Sequence, residues 1–177
     1  MSIRKILSYP EKSLMEKSVQ VGDIDDNIRE LIRDMGETMF ESQGVGLAAP
    51  QIGVNKRIIV YDLNAGKSED DGSENEFRAL INPEITDAKG SVVSEKEACL
   101  SVPDYRADVK RYANVSVKAL DIDGNPVELK ADGIHAIIFQ HEIDHLDGIL
   151  YIHRISVLKR SLYKKRIQKK LKKTKQS

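Results

Sequence analysis

Apolar residues in the first quarter of the chain recur at the spacing of an amphipathic helix. They are Ile24, Ile28, Leu31, Ile32, Met35 and Met39. Residues three and four apart lie on one helical face, which can then pack against a core. Asp23, Asp25 and Asp26 are available to cap the first turn and to complement the helix dipole. The pattern predicts a helix over about 24–42 that ends at Gly44, because glycine and the later Pro50 interrupt helical continuity.

The middle of the chain is dominated by β-branched and alternating segments. These predict strands at 57–63, 78–82, 91–97, 105–110, 114–120 and 127–130. An acidic segment at 64–76, rich in Gly and Ser, predicts a long exposed loop between the first two strands. A turn over 121–126 leads into the last strand. This region is therefore expected to be a β-rich meander.

Two further helices are predicted in the last quarter of the chain. The first has one face formed by Ile134, Ile137, Ile138, His141 and His145. Asp132 stands at its start and Gly148 just past its end, as caps commonly do. The second carries apolar residues at near-helical spacing: Leu158, Leu162, Ile167 and Leu171. We expect this second helix to dock through that apolar face.

Composition places the chain among globular proteins and shows an uneven distribution of charge. The 177 residues suit one domain, and 40% hydrophobic with 32% charged residues fits neither a collagen, a disordered chain nor a membrane span. Ten basic residues and no acid lie in 159–177, which leaves 18 basic against 28 acidic residues in 1–158. We interpret 1–158 as the body of the domain and 159–177 as a basic helix or tail of the same domain.

Cysteine usage and the N-terminus favour a cytoplasmic protein. Cys99 is the single cysteine, so an intramolecular disulfide is excluded and a reducing compartment is favoured. The first ten residues contain no apolar run of signal-peptide length and no transit-peptide pattern.

The four histidines lie within nineteen positions, and two of them form the pattern His-Glu-Ile-Asp-His at 141–145. On a helix, His141 and His145 can reach one metal ion, and Glu142 beside them can act as a base. The alternative is two buried helix histidines beside a surface glutamate. We favour the metal site, because both histidines continue an apolar face where they would otherwise need buried partners.

A catalytic metal site of this kind usually needs a third protein ligand. The candidates are an upstream carboxylate, Cys99, His135 and His153. A metzincin would have a histidine at position 151, where this chain has Tyr151, and no acid follows Asp147 to serve as a thermolysin-like ligand. His135 faces away from His141 on the helix, and His153 lies past the helix end. A thiolate makes Cys99 the better candidate, although a lone cysteine is often only a small buried hydrophobe.

Three short motifs stand in one order along the chain: GVGLAAPQ at 44–51, EACLS at 97–101 and QHEIDH at 140–145. Over residues 3–160 the chain resembles the peptide deformylases, whose motifs are GxGLAAxQ, EGCLS and QHExDH. The resemblance implies an α+β fold in which antiparallel strands pack around a central HExxH helix, with an N-terminal helix and a basic C-terminal helix. It also implies hydrolysis of the N-formyl group from the formyl-methionine of newly made polypeptides, with release of formate.

The resemblance assigns roles to individual residues. It implies three metal ligands: Cys99, His141 and His145. A metal-bound water would attack the formyl carbon, with Glu142 as general base and then general acid. Gln51 and the backbone N–H of Leu100 would form the oxyanion hole. Without the motif, Gln51 would be interpreted as a surface amide after a turn.

Substrate contacts follow from the same resemblance. The backbone at Gly46 would pair with the substrate as an added strand, a mode of recognition that ignores side-chain sequence. The methionine pocket would be lined by Val45, Leu100, Arg106, Ile137 and Ile138. The alternative roles are a helix cap and turn for the glycines, and core packing for the isoleucines.

One position departs from the family pattern, and the metal is not fixed by its ligands. Ala98 replaces the usual glycine, which would cost about 1–2 kcal/mol if the backbone there needs a positive φ. That strain would displace the Leu100 N–H. Cys/His/His with water suits Zn²⁺. The family uses iron(II) and accepts nickel or cobalt, so we expect one Fe²⁺ with Zn²⁺, Ni²⁺ or Co²⁺ as substitutes.

The expected partners are formyl-methionyl nascent peptides, with no DNA and no membrane, and we expect a monomer. The basic segment 159–177 favours an rRNA contact on the ribosome, or else it is a solvated helix end. Two other functions compete with deformylation. One is a zinc endopeptidase using the same HExxH pattern, and the other is a non-catalytic RNA- or ribosome-binding domain with a structural metal.

Overall fold

The computed structural model describes residues 2–67 and 75–174. Within these residues the helices are α1 (Asp26–Glu41), α2 (Gly133–Leu146) and α3 (Val157–Thr174). The strands are β1 (Gly46–Ala48), β2 (Ile58–Asp62), β3 (Phe77–Lys89), β4 (Val92–Cys99), β5 (Val102–Arg111), β6 (Asn114–Leu120) and β7 (Pro126–Asp132). The predicted mixture of helices and strands is confirmed.

The strands form two separate antiparallel sheets. The larger one has the order β1-β2-β3-β6-β7, and each neighbouring pair runs antiparallel. The smaller one is the hairpin of β4 and β5. Strand β1 is therefore an edge of the larger sheet, with β2 on one side only.

The alternating side chains of β2 show how the larger sheet is covered. Ile59 and Tyr61 belong to the apolar cluster that contains α2, whereas Ile58 and Val60 belong to the cluster that contains α1. Successive strand residues point to opposite faces. Helices α1 and α2 therefore pack on opposite faces of this sheet, and Asp144 of α2 also contacts Arg111 of the hairpin.

The ends of α1 show one success and one error of the sequence analysis. Asp25 caps the helix by accepting a hydrogen bond from the Ile28 N–H at 2.9 Å, as predicted. At the other end, the left-handed residue is Gln43, with φ 55°, and not Gly44. The Gly44 N–H donates to the Met39 carbonyl at 2.9 Å, which satisfies a carbonyl of the last turn.

The predicted strands are found, but several limits shift. Strand β3 continues to Lys89, beyond the predicted end at 82, because it pairs with β6 through two irregular steps. The three-residue β1 was not predicted, since residues 46–48 are too short to show a period. The predicted acidic loop falls partly outside the described residues, which resume at 75.

Helix α3 docks through a different face from the one predicted. Ile167 is buried as expected, but Leu158, Leu162 and Leu171 are exposed. Tyr163, four residues before Ile167, is buried instead and packs its ring 4.8 Å from that of Tyr105. Aromatic packing against the hairpin therefore selects the face that carries 163 and 167.

No helix within 2–67 and 75–174 has both the length and the apolar character that a membrane crossing requires.

Candidate active site

Helix α2 buries an unusual number of polar side chains. They are Gln140, His141, Glu142, Asp144 and His145. Buried polar groups almost always have partners, because leaving them unpaired is costly. The partners of these five residues define the site.

Two of the histidines meet Cys99 at the end of β4. One nitrogen of each imidazole and the thiol sulfur lie within 4.8 Å of one another. Cys99 Sγ is 3.2 Å from His145 Nε2. His141 Nδ1 lies 2.7 Å from Glu97 Oε1, and because a carboxylate accepts, this nitrogen donates. The other nitrogen of His141 is therefore the one that can act as a ligand.

The cluster fits a divalent cation by its donors and by its electrostatics. A thiolate and two imidazoles are the usual donors for zinc and other borderline divalent ions. Burial disfavours the charged imidazole of His141, but hydrogen bonds with Cys99 and Glu97 outweigh this and raise its pKa well above the ordinary value. The surroundings of His141 therefore stabilise positive charge.

The other two histidines lie elsewhere. His135 Nε2 is 3.1 Å from the Asp62 carbonyl, and His153 Nδ1 accepts from the Leu150 N–H at 3.1 Å. Within the described part of the chain, Cys99 with the two α2 histidines is the one group of this kind close enough to share an ion. The geometry thus brings together the set that the sequence favoured.

Glu142 adjoins this cluster. Burial raises its pKa to about 7, and the charges of Glu97 and Asp144 add to the effect while His141 and Arg111 oppose it. Among the described residues, its Oε2 is a buried oxygen without a hydrogen-bond partner. Any Cβ at position 46 would lie 2.5 Å from Oε1, so Gly46 is required for the close approach of β1 to this carboxylate.

Gln51 is buried beside the cysteine, which contradicts the alternative of a surface amide. It lies in the short 3₁₀ turn Ala49–Ile52 that follows β1. Its Oε1 accepts from the Ala48 N–H at 2.8 Å, so the amide orientation is fixed. Its Nε2 donates to Ser101 Oγ at 3.1 Å and lies 3.6 Å from Cys99 Sγ. The amide nitrogen therefore faces the cluster.

A cavity of about 920 Å³ opens onto these groups. Its lining includes every residue assigned to substrate or to the oxyanion hole: Val45, Gly46, Gln51, Leu100, Arg106, Ile137 and Ile138. Val45 and Arg106 are exposed and Ile137 is half-buried. Ile138 is 3% exposed and also belongs to the core under α2. This isoleucine therefore lines the cavity and also packs in the core.

The backbone strain considered for Ala98 is absent. Its φ is not positive; among the described residues other than glycine, φ is positive at Gln43, Asn82, Lys96 and Asp104. The backbone irregularity before Cys99 lies at Lys96, whose N–H donates to Asp108 Oδ1 at 2.9 Å. An alanine at position 98 is therefore accommodated in ordinary backbone.

Sequence reasoning missed a buried ionic network behind the histidines. Arg111 contacts both Glu97 and Asp144, and Arg154 also contacts Asp144. Glu97 and Asp144 lie within the motifs at 97–101 and 140–145, close to the proposed ligands. That position in the sequence could have indicated that they contact the site. No local pattern marks Arg111.

Comparisons with known proteins agree with this site. The sequence profile of the polypeptide deformylase family matches residues 3–161. A peptide deformylase of Desulfosudis oleivorans is 45% identical over 172 residues, which cover 97% of this chain and 96% of that protein. The chain belongs to the polypeptide deformylase family. The resemblance found in the sequence is thereby confirmed, as is the expectation of an enzyme.

Solved structures of deformylases have the same fold. One from Legionella pneumophila superposes with a TM-score of 0.85 at 39% identity and covers 99% of both chains. The Acinetobacter baumannii deformylase with bound Met-Ala-Ser gives a TM-score of 0.80 at 35% identity, over 87% of this chain and 99% of that one. Deformylases are metal-dependent enzymes that remove N-formyl groups from nascent peptides. This family is neither a family of zinc endopeptidases nor one of non-catalytic RNA- or ribosome-binding domains.

Proposed function

We propose that this deformylase hydrolyses the formyl group of N-terminal formyl-methionine on newly made polypeptides and releases formate. The observation that carries the proposal is the meeting of Cys99, His141 and His145 with the unpartnered Glu142 Oε2 at one cavity. Residues 1–158 form the catalytic part around α2 as the central helix. The reaction takes place in the cytoplasm, and the enzyme acts as a monomer.

The cation is held by Cys99, His141 and His145, and iron(II) is the proposed ion. When bound, it would supply a Lewis acid that lowers the pKa of a coordinated water toward neutrality. The buried position of Glu142 gives its carboxyl a pKa of about 7, which suits a group that must both accept and return a proton near neutrality. Glu142 takes the proton of the attacking water and delivers it to the leaving amine.

Charge that develops on the formyl oxygen needs donors already in place. Gln51 supplies its Nε2–H, held in orientation through the Ala48 N–H on the other side of the amide. The backbone N–H of Leu100 supplies the second donor from the end of β4. A neutral amide neither titrates nor competes for the cation, so this donor is available at every pH of catalysis.

The open edge of β1 explains how many different nascent chains are accepted. Gly46 lies on that edge and lines the cavity, so a peptide backbone pairs there as an added strand. The methionine side chain enters the part of the cavity lined by Val45, Leu100, Arg106, Ile137 and Ile138. Main-chain pairing provides affinity, and this pocket selects methionine.

The test is anaerobic turnover of formyl-Met-Ala-Ser, with acetyl-Met-Ala-Ser and an unblocked longer peptide as comparison substrates. Formate from the first substrate alone supports the proposal. Cleavage of the unblocked peptide would establish an endopeptidase instead. Absence of formate with folded, iron-loaded protein would contradict the proposed reaction.

The choice of iron has its own test. A thiolate bound to a redox-active ion is prone to oxidation, so air should inactivate the iron form while nickel substitution largely protects it. Mass spectrometry of Cys99 after exposure to air measures the damage. Equal stability of the two forms would argue against iron(II) as the native ion.

The basic helix is proposed to contact rRNA. Its lysines are exposed, while α3 is held to the body by Tyr163 and Ile167. Cutting the chain after Leu158 would uncover that contact, so charge substitution is the cleaner experiment. Lys165→Gln, Lys169→Gln and Lys172→Gln together should weaken co-sedimentation with ribosomes and reduce its salt dependence, by roughly one unit of slope per lost phosphate contact.

The matched control carries the same loss of charge on the sheets: Lys110→Gln, Lys118→Gln and Lys130→Gln. It should co-sediment like the parent. Equal weakening in both variants would show a nonspecific effect of net charge, and no change in the α3 variant would contradict the proposed contact.

A further inference from the structure

Among residues 2–67 and 75–174, the strands of the hairpin that carries Cys99 pair with each other and not with the larger sheet. Side-chain contacts therefore help to set the position of the hairpin relative to α2, which carries both histidines. The spacing between the sulfur and the imidazole nitrogens depends on this placement, since the three donors come from two independent elements. Contacts that join the hairpin to α2 are thus candidates for control of the cation site.

Arg111, the last residue of β5, makes that connection with a single guanidinium. Its Nε and Nη2 donate to the two oxygens of Glu97 at 3.1 and 2.5 Å. Its Nη1 donates to Asp144 Oδ2 on α2 at 2.6 Å. The side chain of Arg111 is 1% exposed, and those of Glu97 and Asp144 are 5% and 9% exposed. All three groups are therefore shielded from water.

The same network reaches the cluster directly. Glu97 Oε1 accepts from both Arg111 and His141 Nδ1, so one oxygen joins the guanidinium to a ligand imidazole. Asp144 lies three residues after His141 and one before His145. The next residue of the chain reinforces the connection: the Tyr112 N–H donates to Gln140 Oε1, and Gln140 Nε2 donates back to the Tyr112 carbonyl.

We propose that Arg111 is the positioning residue that sets Cys99 at the correct distance and angle from His141 and His145. The inference rests on the cation site of the proposed function. Three donors in one plane are needed, because Glu97 must be held by both oxygens while Asp144 is held at the same time. A lysine ammonium lacks this planar arrangement and cannot satisfy both carboxylates in the same geometry.

Arg154 provides a matched control. It donates to the same Asp144, through Nε at 2.5 Å and through Nη2, but it makes no contact with Glu97 and its side chain is 41% exposed. Arg154→Lys therefore changes the same functional group against the same carboxylate without loosening the hairpin. Arg111→Lys changes the contact with Asp144 and also the contact with Glu97 within the hairpin.

The experiment measures Co²⁺ binding to the metal-free protein, by titration against a chromophoric chelator and by absorption spectroscopy. A thiolate-to-cobalt charge-transfer band reports the Cys99 bond, which a purely structural role of Arg111 would leave unchanged. We expect Arg111→Lys to bind Co²⁺ about 10- to 100-fold more weakly than the parent and to show a weaker charge-transfer band. Both are measured at a temperature below the thermal unfolding transition of the variant, so that it is folded. Arg154→Lys should match the parent in both readouts.

Parent-like affinity and band in Arg111→Lys would overturn the inference. If Arg111→Lys does not fold, Asp144→Asn takes its place, because it weakens the Arg111 contact on the helix side and leaves the Glu97 contact intact. Arg154→Lys controls for the Arg154 contact that Asp144→Asn also weakens, and parent-like binding in Asp144→Asn would overturn the inference equally. A parent protein whose Co²⁺ spectrum is unchanged by Cys99→Ser would instead show that the proposed cation site is wrong. The two failures are thus distinguishable.

Discussion

Helices α2 and α3 were both predicted from apolar spacing, yet they differ in what their polar residues do. In α2 the polar residues are buried and bonded to the hairpin, as Asp144 is to Arg111. In α3 the charges are exposed, as in the pair of Lys170 with Asp104, whose side chains are 51% and 61% exposed. The polar residues of α2 therefore depend on specific partners, while those of α3 are exposed to water, which competes with the partners they have.

The energetic consequence follows from this difference. Breaking a buried ion pair leaves an uncompensated charge and costs several kcal/mol, whereas exposed pairs contribute little because water and salt compete for them. Substitutions in and around α2 should thus change both chemistry and stability. Changes to the charges of α3 should alter only what the surface attracts.

The largest expected effect is that of Glu142→Ala. This substitution removes proton transfer, which contributes a factor on the order of 10²–10⁴ to turnover. Because Glu142 is not a proposed ligand, the cation content should remain that of the parent. Formate release from formyl-Met-Ala-Ser, together with metal analysis, provides the measurement. Undiminished turnover in the metal-loaded variant would show that another group moves the proton.

A somewhat smaller loss is expected for Gln51→Ala. Removing one donor to a developing oxyanion typically lowers kcat by a factor on the order of 10²–10³. Ser101→Ala is the companion variant, because it removes the Ser101 Oγ acceptor of the Gln51 amide and leaves the orienting Ala48 contact in place, so its loss should be smaller. If the two variants lost the same activity, Gln51 would act through Ser101 and not as a donor to substrate.

The features predicted well from the sequence have short-range causes. The caps and apolar period gave α1 within two residues at its start, and the HExxH spacing gave α2 and its two histidines. Cys99 lies 46 positions before His145, and the resemblance to the deformylases, not a local rule, assigned it as the third ligand. Local sequence rules were sufficient to predict features whose interacting residues lie within one or two helical turns of each other.

The missed features depend on contacts between distant segments. Arg111 lies 33 positions before Asp144, and nothing in its own neighbourhood indicates which carboxylates it joins. The docking face of α3 was misjudged because four aliphatic residues at near-helical spacing outweighed one tyrosine in the pattern. The aromatic partners Tyr9 and Tyr105 that select Tyr163 lie far earlier in the chain.

The docking face of α3 can be tested directly by its effect on stability, which is expected to be moderate. Ile167 is 7% exposed and Leu162 is 59% exposed. Truncating a buried Ile to Ala removes packing and leaves a cavity, so Ile167→Ala should lower the free energy of unfolding by roughly 2–5 kcal/mol. Leu162→Ala should leave it nearly unchanged in the same urea titration. Equal destabilisation would restore the originally predicted face.

The last comparison concerns two carboxylates, Glu97 and Asp104, whose contributions to stability respond differently to acid and salt. Burial opposes ionisation of Glu97, but hydrogen bonds from His141 and Arg111 outweigh it and lower its pKa to about 2. A hydrogen bond from Lys170 and its charge lower the pKa of Asp104. Each group has a lower pKa folded than unfolded, so each stabilises the fold at pH values above its unfolded pKa.

Acid should remove these contributions in different ways. For Glu97 the stabilisation is complete above the unfolded value of about 4.3 and disappears as the pH falls through about 2. Urea unfolding of the metal-free parent, Glu97→Gln and Asp104→Asn between pH 7 and 3 measures it. The Glu97→Gln difference should shrink toward low pH and persist in 1 M salt, where the Debye length is about 3 Å. The Asp104→Asn difference should be small and vanish in that salt, because both partners of its ion pair face water; persistence there would mean that α3 is held by charge as α2 is.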